Sequence, residues 1–246
     1  MNVYGLIGLP LTHSFSKKFF SDKFERENLQ DCIFNLFPLS TINDLPELLQ
    51  THKNLKGLAV TIPYKEEVLP YLSSLEPVIQ QIGAVNCIKI HNGVLTGFNT
   101  DVIGFEKSFT PHLQSHHKQA LVLGTGGASK AVQYVLKKMS VPFLIVSRKT
   151  DNSPGYISYE SINHELVDKY PVIINCTPVG MSPKENDKPL IPYQFLSSRN
   201  YLYDLVYKPE ETLFLKEGLL AGAVVKNGFE MLVLQAEENW KIWSQY

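Results

Sequence analysis

Short β-rich apolar runs alternate with amphipathic stretches along the whole 246-residue chain, and that alternation leaves few folds open. The runs are Val3 to Gly8, Cys32 to Phe37, Gly57 to Thr61, Ala84 to Ile90, Gln119 to Leu123, Pro142 to Ser147, Val172 to Asn175, Tyr201 to Leu205 and Ala223 to Val225. Helical patterns cover roughly Ser16 to Asn28, Thr41 to Thr51, Val102 to Phe109, Ala128 to Lys138, Pro209 to Ala221 and Phe229 to Trp243. Such alternation predicts an α/β fold with parallel layers. The length suits one large domain or two modest ones, each with a real core. A polar stretch from Thr110 to Lys118 separates two α/β blocks, and the boundary is expected slightly earlier, near Asp101, with the helix from Val102 bridging the halves. The last helix carries Met231, Leu232, Leu234, Trp240 and Trp243 with no further strand to cover, so it is expected to return to the first block.

Composition removes several classes of function. The formal net charge is -1, so no overall basic field points to nucleic acid or an anionic membrane. Cys32, Cys87 and Cys176 are odd in number, far apart and lack a C-x-x-C pair, which suits reduced thiols and argues against a disulfide scaffold or a structural zinc site. No His, Cys and acid cluster has metal-ligand spacing. The start, Met1 to Gly5, carries no basic segment followed by a long apolar one, and no apolar run approaches the ~20 residues of a membrane span. A cytoplasmic protein is the expectation.

Two stretches carry chemistry. Ala120 to Leu123 runs into Gly124-Thr125-Gly126-Gly127-Ala128-Ser129 and then a helix. Glycines there allow a tight turn and close approach to a pyrophosphate, and the helix start offers unpaired N–H groups. A tight turn that binds nothing would use the same residues, and Ser129 stands where the fingerprint has a glycine; the strand–loop–helix context favours the dinucleotide reading. The next strand ends Ser147-Arg148-Lys149 without the acid that holds a ribose 2′-hydroxyl, and two cations suit a 2′-phosphate, so NADP(H) is expected over NAD(H). Solvated surface cations are the plainer alternative. Thr177 to Met181 ends another strand and could reach ribose or nicotinamide, or be an ordinary turn.

The second stretch, Leu58 to Glu66, reads as a strand stopped by Pro63, with Lys65 at the first turn of a helix. Around it, Ser14, Ser16, Thr61, Asn86 and Asp101 all sit at predicted element ends. Singly each has a plainer role: Ser16 and Asp101 as helix N-caps, Asn86 as a turn residue, His13 as a hydrogen-bonded structural residue. Together, hydroxyls, an amide, an ammonium and a carboxylate suit a small polyhydroxylated acid.

The motifs G-x-P-x-x-H-S-x-S at Gly8 to Ser16, V-T-I-P-Y-K at Val60 to Lys65, G-A-V-N at Gly83 to Asn86, N-T-D at Asn99 to Asp101, G-x-G-G-A at Gly124 to Ala128 and N-x-T-P-x-G-M at Asn175 to Met181 resemble the shikimate dehydrogenase family. Tyr203 to Pro209 and Met231 to Ala236 extend the likeness nearly end to end. The resemblance implies NADPH-dependent reduction of 3-dehydroshikimate to shikimate, in the shikimate pathway to chorismate and aromatic amino acids. It implies an N-terminal α/β substrate domain (1–101), a Rossmann-like NADP-binding domain (102–227) and a C-terminal helix (228–246) returning to the substrate domain. It assigns Lys65 and Asp101 as the catalytic pair, and Ser14, Ser16, Thr61, Asn86, Tyr207 and Gln235 as further substrate residues. It assigns the cofactor to Gly124, Thr125, Gly126, Gly127, Ala128, Ser147, Arg148, Lys149, Thr177, Met181 and Gly228. Partners are then small molecules, with monomer and homodimer both open. The family often has Pro after the second serine and His-Asn a few residues later, here Lys17, Phe20 and Ser21; Cys87 replaces a usual Thr; Ser147-Arg148-Lys149 replaces the common Asn-Arg-Thr. A quinate/shikimate dehydrogenase with broader substrate and cofactor use, or a non-catalytic ligand sensor on this fold, are the alternatives.

Overall fold

A computed structural model describes residues 1–11, 14–149 and 153–245. The chain divides into two compact units, residues 1–100 with 236–246, and residues 101–235. His13, proposed above as a structural residue, lies outside the described residues.

The first unit holds strands β1 (Asn2–Gly8), β2 (Cys32–Pro38), β3 (Leu55–Val60), β4 (Ser74–Leu75), β5 (Cys87–His91) and β6 (Val94–Phe98), and helices α1 (Phe15–Arg26), α2 (Leu45–Thr51) and α3 (Ile79–Ile82). Its sheet runs β2-β1-β3-β5-β6-β4. It is mixed rather than purely parallel: β5 is antiparallel to both β3 and β6. The strand β6 was not foreseen. Asn92 and Gly93 both have positive φ (49° and 78°) and form a two-residue loop, with His91 opposite Val94. That is the Asn-Gly hairpin signal, present in the sequence and overlooked.

The second unit holds α4 (Asp101–Phe109), β7 (Ala120–Leu123), α5 (Gly127–Lys138), β8 (Phe143–Val146), β9 (Tyr156–Ile157), α6 (His164–Lys169), β10 (Val172–Asn175), β11 (Tyr201–Asp204), α7 (Leu213–Leu220) and β12 (Val224–Lys226). Its sheet, β12-β11-β10-β7-β8-β9, is parallel throughout. Leu121, Val122, Ile173, Ile174 and Leu202 are fully buried, as parallel strands covered on both faces require. The order reverses between β7 and β10, the place where open α/β sheets take ligands.

The division at the C-terminus falls inside the helix α8 (Phe229–Ser244), with residues up to Gln235 in the second unit and Ala236 onward in the first. In the first unit Trp243 enters an aromatic core with Tyr4, Phe20 and Phe34, at ring separations of 5.4, 5.3 and 6.4 Å. Its indole N–H donates to the Ile88 carbonyl at 3.0 Å. A Cβ at Gly57 would lie 2.4 Å from that indole, so β3 needs glycine there. Burying one such ring contributes about 2 kcal/mol of transfer free energy. Lys23 of α1, 5% exposed, donates to Glu27 and Glu237 at 2.7 Å each, which fastens the end of α8 to α1 with a paired buried charge. Among the described residues no helix is long and apolar enough to cross a membrane.

Three local expectations are corrected. Lys65 does not open a helix: Ile62 to Val68 is a run of turns leading to a short 3₁₀ segment at Leu69–Tyr71. Pro63 and Pro70 lack donors, and the turns close as Tyr64 N–H to Thr61 and Leu69 N–H to Glu66. Ser16 is not an N-cap, because α1 begins one residue earlier and Ser14 takes that position without a side-chain cap bond. Asp101 is the first residue of α4 rather than its cap.

Candidate functional site

In the first unit, strand register brings the polar residues to one edge of the sheet. Ile7 pairs with Val60, and Cys87 pairs with both Ala59 and Phe98. Thr61, Asn86 and Asn99 each lie one step beyond those pairs, and the backbone continues the ladder: Thr61 N–H to Ile7, Val60 N–H to Asn86 and Asn86 N–H to Phe98, at 3.0, 2.8 and 3.1 Å. A Cβ at Gly8 would lie 2.3 Å from Thr61 Cγ2, so glycine lets β1 end against that threonine.

The turn bearing Lys65 is held from both sides. Tyr64 is buried, and its hydroxyl donates to the Leu39 carbonyl at 2.6 Å. The Lys65 carbonyl accepts from Val85 N–H at 2.7 Å, next to Asn86. The Asn86 amide grips Thr100, with Nδ2 donating to Thr100 Oγ1 at 2.9 Å and Oδ1 accepting Thr100 N–H at 2.6 Å. Thr100 Oγ1 donates on to Asn239 Oδ1 of α8 at 2.6 Å, and Asn99 Nδ2 donates to the Ala84 carbonyl at 2.9 Å. This network fixes the residue immediately before Asp101. Ser14 Oγ is a buried side-chain atom without a hydrogen-bond partner. Buried hydroxyls are nearly always satisfied, so an unsatisfied one at a sheet edge fits a ligand acceptor such as a carboxylate. Ser16 is half-buried two residues on, in the first turn of α1.

In the second unit, Leu123 pairs with Val146 and Asn175, and Asn175 with Asp204. Gly124, Ser147, Cys176 and Leu205 therefore stand at one carboxyl edge. Gly124 has φ +103°, and a Cβ there would lie 2.9 Å from Thr177 Cγ2, so the position excludes side chains twice over. Gly126 precedes α5 with no side-chain cap, and a Cβ built on it meets nothing within 4 Å. The loop thus presents bare backbone and uncapped helix N–H groups to open space, with Thr125 exposed and Gly127 and Ala128 opening the helix, which fits a pyrophosphate. Ser129, the departure from the fingerprint, is fully buried and donates to the Gly124 carbonyl at 2.7 Å. It closes the loop from inside, a role glycine cannot play. Arg148 and Lys149 are both exposed just past β8, and Ser147 Oγ accepts Lys149 N–H at 3.2 Å.

Asp204 organises the rest of this edge. Its Oδ1 accepts from Asn175 Nδ2 at 2.9 Å and Val206 N–H at 3.0 Å, and its Oδ2 from Thr212 Oγ1 at 2.6 Å. Asn175 Oδ1 in turn accepts the Thr177 hydroxyl at 2.6 Å and its N–H at 3.1 Å. One fully buried carboxyl thereby holds the loop carrying Thr177 and Met181 and the loop carrying Tyr207. Burial pushes the Asp204 pKa up to about 6, against the pull of those three donors. Burial also raises the Tyr207 phenol and the Cys176 thiol, so neither is poised to ionise. Gly228 has a packing reason of its own: a Cβ there would lie 2.2 Å from the Leu205 carbonyl oxygen. Gln235 stands on α8, with Nε2 donating to the Leu232 carbonyl at 2.8 Å.

Thr100, Asn239 and Asp204 were not singled out from the sequence. Asn239 lies one helical turn beyond Gln235, and two uncharged amides at that spacing were the available signal. Asp204 had its place at a strand end and inside the family-like stretch Tyr203 to Pro209.

The profile of the shikimate dehydrogenase substrate binding domain matches residues 6–88. A shikimate dehydrogenase (NADP(+)) from Clostridium beijerinckii is 37% identical, spanning 100% of this chain and 93% of its own length. Among solved structures, a chorismate mutase/shikimate 5-dehydrogenase fusion protein from Clostridium acetobutylicum superimposes with TM-score 0.88 at 37% identity, over 99% of this chain and 91% of that one. A shikimate 5-dehydrogenase from Thermus thermophilus, solved with NADP(H) and shikimate, gives TM-score 0.87 at 28% identity, over 99% and 94%.

Proposed function

The chain belongs to the shikimate dehydrogenase family, and we propose that it interconverts 3-dehydroshikimate and shikimate with NADP(H), as a cytoplasmic step of the shikimate pathway to chorismate. The observation that carries this reading is the 37% identity to a shikimate dehydrogenase (NADP(+)) across the whole chain. The unsatisfied Ser14 hydroxyl and the bare glycine loop support it. In this reading Ser14 and Ser16 take the substrate carboxylate. Thr61, Asn86, Asp101 and Gln235 take ring hydroxyls, with Tyr207 beside them. Gly124 to Ala128 hold the pyrophosphate, Ser147, Arg148 and Lys149 the 2′-phosphate, and Thr177, Met181 and Gly228 the nicotinamide end.

When bound, the nicotinamide supplies a hydride to the ketone carbon in one direction and takes it back in the other. The Lys65 ammonium donates a proton to the ketone oxygen as charge develops there, and accepts it in reverse. Asp101 is the second member of the catalytic pair in this reading. Both are set on backbone fixed in advance, so little reorganisation accompanies the charge change. Arg148 can grip a 2′-phosphate bidentately, and Lys149 adds charge.

Initial rates with shikimate or quinate, each with NADP+ or NAD+, test the assignment. The highest kcat/KM is expected for shikimate with NADP+. A preference for NAD+ removes the role given to Arg148 and Lys149, and equal use of quinate replaces the narrow reading with the broader quinate/shikimate one.

A further inference from the structure

Gly104 lies three residues after Asp101 on α4, hence on the same face of that helix. It is buried, and it is not among the glycines with positive φ, so backbone freedom does not call for it. In a helix interior glycine is weaker than alanine. What excludes a side chain is α8: a Cβ at Gly104 would lie 2.6 Å from the Met231 carbonyl oxygen, 3.2 Å from Gln235 Cβ and 3.3 Å from Gln235 N. α4 is also held to β11 one turn further along, which resists its retreat. Ser108 Oγ and the Tyr203 hydroxyl share a 2.6 Å hydrogen bond, and Phe105 and Phe109 pack on Tyr203 and Tyr201 with ring centroids 5.2 Å apart in each case. A methyl group at Gly104 is therefore taken up by displacement of the turn of α8 from Met231 to Gln235.

We propose that Gly104 is a positioning residue: by letting the backbones of α4 and α8 meet closely, it sets where Gln235 stands relative to Asp101, two of the substrate groups the second unit contributes. This rests on the functional reading above. Gly104 touches no substrate in this account and acts only through Gln235.

The test is a double-mutant cycle of Gly104→Ala and Gln235→Ala, with kinetics for shikimate and NADP+, NADP+ affinity and thermal melting. Gly104→Ala is expected to fold, to bind NADP+ as the wild type does, and to lower kcat/KM for shikimate roughly ten- to a hundredfold, the scale of a misplacement near 1 Å. In the Gln235→Ala background it is expected to add little. Wild-type kinetics in Gly104→Ala, multiplicative effects in the double variant, an unaffected Gln235→Ala enzyme, or loss of NADP+ binding and folding in Gly104→Ala each overturn the proposal. Failure of the functional reading looks different: the wild-type protein itself does not turn over shikimate, and the proposal falls with it.

Discussion

Lys65→Ala is expected to lower kcat by about 10²- to 10⁴-fold, the usual contribution of a positioned proton donor, with only a modest change in the KM for shikimate. The split follows from what the substitution leaves behind. The turn is held by Tyr64, whose hydroxyl donates to Leu39, and by the Val85 N–H bond to the Lys65 carbonyl, and none of these involves the lysine side chain. Truncation therefore removes the ammonium and keeps the scaffold. In the proposed site, ground-state binding rests on other groups, including Ser14, Ser16, Thr61 and Asn86, so KM is expected to be largely kept. The charge on the ketone oxygen develops only toward the transition state, so kcat takes the loss. Steady-state kinetics with circular dichroism as a fold check make the measurement. An unchanged kcat contradicts the role.

Asp204→Asn is expected to flatten the pH dependence of stability between about pH 4 and 7. Burial raises this carboxyl from 3.8 to about 6, although Thr212, Val206 and Asn175 all donate to it. The folded state thus holds the proton more tightly than the unfolded chain does. The stabilisation from that proton is full below the unfolded value and is lost as pH rises through about 6, a change on the order of 3 kcal/mol. The ionisable groups that feel its charge, Cys176 and Tyr193, are themselves raised by burial and stay neutral across this range. Asparagine keeps an acceptor for Asn175 and Val206 but has no proton to lose. Denaturant titrations at pH 4 and pH 7 should find the wild type losing about 2 kcal/mol relative to the variant as pH rises. A constant difference contradicts the buried, proton-holding carboxyl. Retention of this costly group has a structural reason, since it ties the Thr177 loop to the Tyr207 loop, together with the Ser182 N–H bond to the Lys208 carbonyl.

The two-layer alternation was legible because buried parallel strands such as Val172–Asn175 and Ala120–Leu123 are short apolar runs with abrupt polar ends. The glycine loop was legible for the same reason: Gly124 has no substitute at φ +103° beside Thr177. The hairpin at Asn92-Gly93 was equally legible, since Asn-Gly between two apolar runs marks a two-residue turn. Lys65 was misread as opening a helix because periodicity cannot distinguish a first helical turn from serial turns closed by Thr61 and Glu66 carbonyls. Ser14, by contrast, was chosen as one hydroxyl among several, and only the packed edge reveals it as a buried hydroxyl without a partner. The network in which Asn86 bonds Thr100 and Thr100 bonds Asn239 joins residues far apart in sequence, and no local pattern encodes it as a whole.

The central claim is the reaction itself. The purified protein should be mixed with NADPH and 3-dehydroshikimate, the nicotinamide absorbance followed, and the product identified by NMR. Equimolar consumption of NADPH and appearance of shikimate is the predicted result. NADPH that persists with the wild-type protein, or a product other than shikimate, contradicts the account.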